Sequence, residues 1–199
     1  MGRQTGREFP APKQTSGFRH QLRLATHSSH DQTETLFAPF QADMTGRLGW
    51  FLAAQRSGLG ALAQGLPADD PARILPDRLC RILDADLAAL DQPWTPLPAP
   101  VSCDPLAVRY IVLGSRLGTE LLRRRLAQHL PDTRIPGYFA PADHGRAWST
   151  LCAELDAIDP ASEQALRLID QACTAFDLFR RAALAQPHPT GAPDHAAIA

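Results

Sequence analysis

LRLATHSSHDQTETLF, residues 22–37, reads as one amphipathic helix, and it fixes how the rest of the chain is parsed. Its two histidines, His27 and His30, stand three apart. With His30 at zero and about 100° per residue, Arg23 falls near 20°, Glu34 near 40°, His27 near 60° and Phe37 near −20°. Leu22, Ala25, Ser29 and Leu36 gather on a neighbouring face, the expected core side. One edge therefore carries an imidazole, a carboxylate one turn on, a cation two turns back and an aromatic ring. Such an edge is either a solvated polar border or a set suited to a flat anionic metal complex. In the second case the imidazole takes the metal, the carboxylate orients the ring and the cation meets a peripheral carboxylate.

Outward from this helix, prolines punctuate the chain. The windows 18–38, 42–66, 77–92, 106–130, 142–159 and 161–186 are free of proline and carry apolar residues at three- and four-residue spacing. In the third, Leu79, Ile82, Leu83, Leu87 and Leu90 form a stripe with Asp86 at its margin. Asp104-Pro105 reads as an N-cap followed by proline at the first helical position, and Asp159-Pro160 repeats the signal before the last helix. DQPWTPLPAP and PDTRIPGYFAP suit ordered connectors. No alternating run argues for a sheet. The expectation is an all-α, single-domain bundle of about six or seven helices over 18–186, with flexible tails at 1–17 and 187–199.

Composition narrows the function. At 199 residues, 44% of them apolar, the chain can bury one good core, and a formal charge of −1 gives no reason to expect nucleic acid or a membrane as partner. Lys13 is the only lysine, so the basic residues are nearly all arginine. No apolar run reaches the roughly 18 residues that span a bilayer, and the polar start MGRQTGREFPAPKQTSG lacks the apolar core of a secretory signal. Cys80, Cys103, Cys152 and Cys173 are scattered without metal-ligand spacing and read as reduced thiols. A cytoplasmic protein is expected.

The second helix of interest, DPLAVRYIVLGSRLGTELLRRRLAQHL, residues 104–130, holds Gly114 and Gly118 on one face with Ala107, Tyr110, Ile111, Leu121 and Leu122. Each glycine inside a helix costs about 1 kcal/mol against alanine, so two on one face imply that something approaches the backbone. A tightly packed neighbouring helix and a flat ligand are both consistent with that spacing.

Taken together, these helices resemble the heme oxygenase family. LRLATHSSHDQTE is similar to its proximal-helix signature and YIVLGSRLG to its distal-helix segment, in the same order and separation. TGRLGWFLAAQ and ACTAFDLFRRAAL resemble its second and last helices, extending the likeness over about 20–186. The resemblance implies a heme oxygenase-like helical bundle, with heme held between a proximal and a distal helix. It places His30, not His27, as iron ligand, with Glu34 beside it, Arg23 toward a heme propionate and Phe176 as an aromatic near the heme. Gly114 and Gly118 become the distal glycines, with Tyr110 and Arg109 candidates at the propionate edge and Arg146 a weaker one.

The activity implied is oxidative cleavage of heme b, substrate and cofactor at once, to biliverdin, carbon monoxide and ferrous iron. Dioxygen and electrons from a ferredoxin or flavoprotein are consumed. The product would go to a bacteriophytochrome, or the iron would be recovered; Arg123 to Arg125 offer a docking patch for an acidic electron donor or an ordinary solvated face. Three positions depart from the family. Ser115 stands where many members have the aspartate that orders distal water, Thr119 replaces a glycine, and Leu113 replaces a frequent acid. Those departures keep two further readings open, a heme sensor or carrier without turnover and a protein-interaction module without heme.

Overall fold

The computed structural model describes residues 17–100 and 102–187. Six α-helices follow in order: α1 (Phe18–Ala42), α2 (Leu48–Gln64), α3 (Ile74–Ala89), α4 (Pro105–Leu126), α5 (Gly145–Asp156) and α6 (Glu163–Ala185). Short 3₁₀ turns occur at Pro71–Arg73, Asp132–Arg134 and Gly137–Phe139, and no strand forms among the described residues. The chain is all-helical, as its periodicity implies, and one core serves all six helices. Apart from their innermost residues, the tails expected at each end lie outside the described residues, with His188 and His195 among them.

Helix α2 is apolar almost all round and is accordingly the most enclosed, packing between α3 and α6. Around its N-terminal half an aromatic cluster closes the core. Phe51 stacks on Phe40 of α1 at 4.1 Å between ring centroids and lies 5.9 Å from Phe139, while Phe37 lies 5.5 Å from Trp50. Burying each such side chain stabilises the fold by about 1.5–3 kcal/mol. Trp50 Nε1 donates to the Ala183 carbonyl at 3.1 Å, tying α2 to the end of α6.

Helix starts follow the chemistry of the sequence in one case and depart from it in another. Asp104 accepts from the Leu106 and Ala107 amides at 2.8 and 3.4 Å with Pro105 in the first turn, as its spacing implies. The same Asp-Pro device at Asp70-Pro71 starts a 3₁₀ turn, Asp70 accepting from Ala72. Asp159-Pro160 instead forms a turn in which Asp159 accepts from the Ala161 amide; α6 begins three residues later, capped by Ser162, which accepts from Ala165. Pro39 and Pro76 both lie within helices, Pro76 in the first turn of α3 where its missing N–H costs nothing.

The core face of α1 also differs from expectation. Ala25 is exposed and Phe37 is buried, and the buried stripe runs Phe18, Leu22, Thr26, Phe37 and Phe40. Thr26 can be buried because its hydroxyl donates to the Leu22 carbonyl at 2.8 Å; Thr33 treats Ser29 likewise. These internal bonds remove the polarity that makes both threonines read as surface residues. The proline-rich connector before α4 is ordered by Gln186, which accepts from the Thr95 amide at 2.8 Å and donates to its carbonyl at 3.0 Å.

Candidate functional site

Helices α1 and α4 both pack on α6 and α5, and they run parallel. Near their N-terminal ends the Tyr110 side chain reaches Thr26, under the field of the Arg23 guanidinium. Near their C-terminal ends Arg125 Nη1 donates to Gln41 Oε1 at 2.9 Å. The second pair lies about 15 residues further along both helices than the first, a run of roughly 22 Å at 1.5 Å per residue. Between these two fixed points lie His30 and Glu34 on α1, and Gly114, Gly118 and Leu121 on α4. On α4 the positions 110, 114, 118, 121 and 125 fall on one stripe at helical period.

On the α1 side His30 is half-exposed, its side chain 49% accessible. Phe176 of α6 meets its ring edge-on at 5.7 Å, and Glu34 Oε1 lies 3.7 Å from Nε2. Nδ1 is 3.5 Å from Asp31. His30, Asp31 and Glu34 thus bring three metal-capable groups within 4.8 Å, all exposed. His27 is more exposed and turns to Asp31 at 3.0 Å. Arg23 is exposed, and its side chain makes no hydrogen bond or ion pair among the described residues.

The α4 side is where glycine matters. A Cβ placed on Gly118 would meet nothing within 4 Å, and one on Gly114 would meet only Trp148 of α5, at an ordinary 3.7 Å. Neither glycine is therefore required by packing among the described residues. Gly58 of α2 shows the contrast: a Cβ there would sit 2.6 Å from Phe179. Trp148 stacks on Tyr110 at 6.1 Å and closes the end of the stripe beside Gly114. Leu117 and Leu121, large and apolar, stand more than half exposed on the same side of α4. Burial pushes the Tyr110 phenol above its usual pKa, with Thr26 and Arg23 acting in the opposite sense.

The remaining sequence candidates take definite positions. The Ser115 hydroxyl donates to the Val112 carbonyl at 2.8 Å, so its proton is turned along the helix. Leu113 is core and Thr119 is buried, so neither narrows the glycine face. Arg109 forms a two-pronged pair with Glu154 at 2.6 and 2.9 Å, a tether between α4 and α5. The arginine run is partnered within the chain: Arg123 with Asp132 at 3.9 Å, Arg124 with Glu120 at 2.9 Å and Arg125 with Gln41. All four cysteines are free, and burial raises the Cys80 thiol to about 11.

Sequence reasoning missed Trp148 and the Gln41–Arg125 pair. The tryptophan was legible as one of only three in the chain; the pair needs the two helices side by side. In comparison with known proteins, the chain matches no protein-family model and no curated protein. No described helix is long and apolar enough to cross a membrane.

Proposed function

We propose that the chain is a biliverdin-producing heme oxygenase, heme lying between α1 and α4. The observation that carries this reading is a pair of helical glycines that packing does not require, on one of two helices tied together at both ends. Two unneeded glycines cost about 2 kcal/mol of helix propensity. A flat ligand that must approach bare backbone gives that cost a purpose, and a half-exposed histidine on the facing helix gives the ligand an anchor.

The residues fit the group. A neutral His30 offers Nε2 to iron; Asp31 beside Nδ1 and Phe176 edge-on limit the ring's rotation. Arg23, unpaired on the same edge, supplies a cation for a propionate, and Tyr110 and Trp148 close that end of the slot. Leu117 and Leu121 add exposed apolar surface that a porphyrin would cover. Ser115 spends its proton on Val112 and keeps oxygen lone pairs with which to accept from, and order, water at the glycine turn. Heme supplies the reactivity: with dioxygen and external electrons its ring is opened to biliverdin, carbon monoxide and ferrous iron. A ferredoxin or flavoprotein fits as electron donor, and a bacteriophytochrome is a fitting acceptor for the product. The internal pairing of Arg123, Arg124 and Arg125 weakens the case for that run as the donor's docking patch.

Hemin titration of the wild type, His30→Ala and His27→Ala tests the anchor. The histidine-ligated spectrum should be lost in His30→Ala and kept in His27→Ala. The reverse pattern, or no change in either, would overturn the assignment.

A further inference from the structure

A cavity lies on the other side of α4, about 200° round the helix from Gly114 at roughly 100° per residue. It holds about 490 Å³ and is lined chiefly by Arg116, Thr119, Glu120, Phe139, Asp143 and His144. That volume is in the range of small-molecule sites. Sequence spacing gives no hint of it, because its walls come from α4 and from the loop between the last 3₁₀ turn and α5.

Arg116 is the anomaly within it. Only 8% of the residue is exposed, yet no carboxylate pairs with it among the described residues. Nη2 donates to the Tyr138 carbonyl at 2.8 Å, and the guanidinium lies over the Tyr138 ring, 4.7 Å from its centroid. Nε and Nη1 are buried with no hydrogen-bond partner among the described residues. A cation over an aromatic face recovers part of the cost of desolvation. Two unmet charged donors remain, and such groups in a native fold ordinarily mark a bound ion or water.

The acids lining the same cavity are already engaged. Glu120 accepts from Arg124 at 2.9 Å, and Asp143 accepts from the Gly145 amide at the start of α5 at 2.9 Å. Thr119 donates to the Ser115 carbonyl. His144, at the cap position of α5, makes no side-chain cap bond. Burial, Arg116 and Arg78 hold its imidazole below the ordinary value, with Asp143 opposing them. The formal charges lining the cavity balance, Arg116 and Arg124 against Glu120 and Asp143, and the idle donors are those of Arg116.

We propose that this cavity is a binding site for a compact oxyanion, the phosphate or carboxylate group of a small molecule, held by Arg116 with His144 beside it. It is separate from the heme slot and independent of the heme reading. The test is calorimetric titration of the full chain with inorganic phosphate and, in parallel, with acetate, the His144 ring signals followed by NMR. Saturable one-site binding that moves the His144 signals is expected, and the tighter arm identifies phosphate or carboxylate as the group recognised. Arg116→Gln should weaken it at least tenfold, while His30→Ala should leave it unchanged. Should Arg116→Gln fail to fold, Ala142→Trp fills the exposed mouth and should abolish binding with the fold intact. Failure of both anions to saturate the wild type would mean that water alone meets Arg116 and would overturn the proposal. Undiminished binding in Ala142→Trp, or in a folded Arg116→Gln, would overturn it as well.

Discussion

Replacing Gly118 by alanine should stabilise the chain and weaken its hold on heme at the same time. The added methyl meets nothing within 4 Å, and the helix backbone there suits any L residue. Only the propensity gain then acts, about 0.5–1 kcal/mol in favour of alanine. For a domain of this size that raises the melting temperature by roughly 1–4 °C. In the slot the same methyl occupies the space that the proposed ligand needs, so heme affinity should fall tenfold or more, about 1.4 kcal/mol. Thermal melts of the heme-free protein and hemin titrations of the same preparations read both effects. Gly58→Ala is the control: its methyl would stand 2.6 Å from Phe179, and overpacking of that kind costs about 1–3 kcal/mol. A lower melting temperature for Gly118→Ala would mean that α4 is packed there after all. A higher one with unchanged heme affinity would refute the functional reading of the glycine.

Two further outcomes concern the framework. Asp86 accepts from the Gly137 and Tyr138 amides, each at 2.8 Å, and so holds the wall of the Arg116 cavity against α3. Asp86→Ala should lower stability by about 1–3 kcal/mol in urea unfolding and should loosen that wall in hydrogen exchange. Glu154→Gln breaks the tether to Arg109, whose hydrogen bond holds the Glu154 carboxyl below its ordinary range. Because the folded pKa is depressed, the pair's contribution is complete above the unfolded value of ~4.3 and is lost as pH falls through the folded one. Wild type should therefore exceed Glu154→Gln by at most about 1 kcal/mol at neutral pH, the range of exposed ion pairs, and the two should converge in acid melts.

Much of the architecture was legible because proline and helical period are local signals. Asp104-Pro105 started α4 where its chemistry places it, while Asp159-Pro160 did not start α6, since Ser162 offers the next turn a better cap. The core face of α1 was misplaced through Thr26 and Thr33, which hide their hydroxyls on carbonyls one turn back; a polarity pattern has no means of registering that. The candidate site was legible as two separate stripes. That His30 touches Phe176, that Glu34 stands beside it, and that neither glycine is required by packing depend on three helices coming together. Arg116 was not legible at all, because a lone arginine in a helix reads as surface until the Tyr138 loop is seen to cover it.

The most direct measurement is the absorption spectrum of the hemin-loaded chain in air, followed after adding ferredoxin, ferredoxin reductase and NADPH. A heme oxygenase should lose its Soret band while the broad red absorption of biliverdin grows, with carbon monoxide released in step. A Soret band that forms and then persists would make the chain a heme carrier or sensor rather than an enzyme. Failure to form a histidine-ligated Soret band at all would contradict the account at its centre, the placement of heme between His30 and the bare backbone of Gly114 and Gly118.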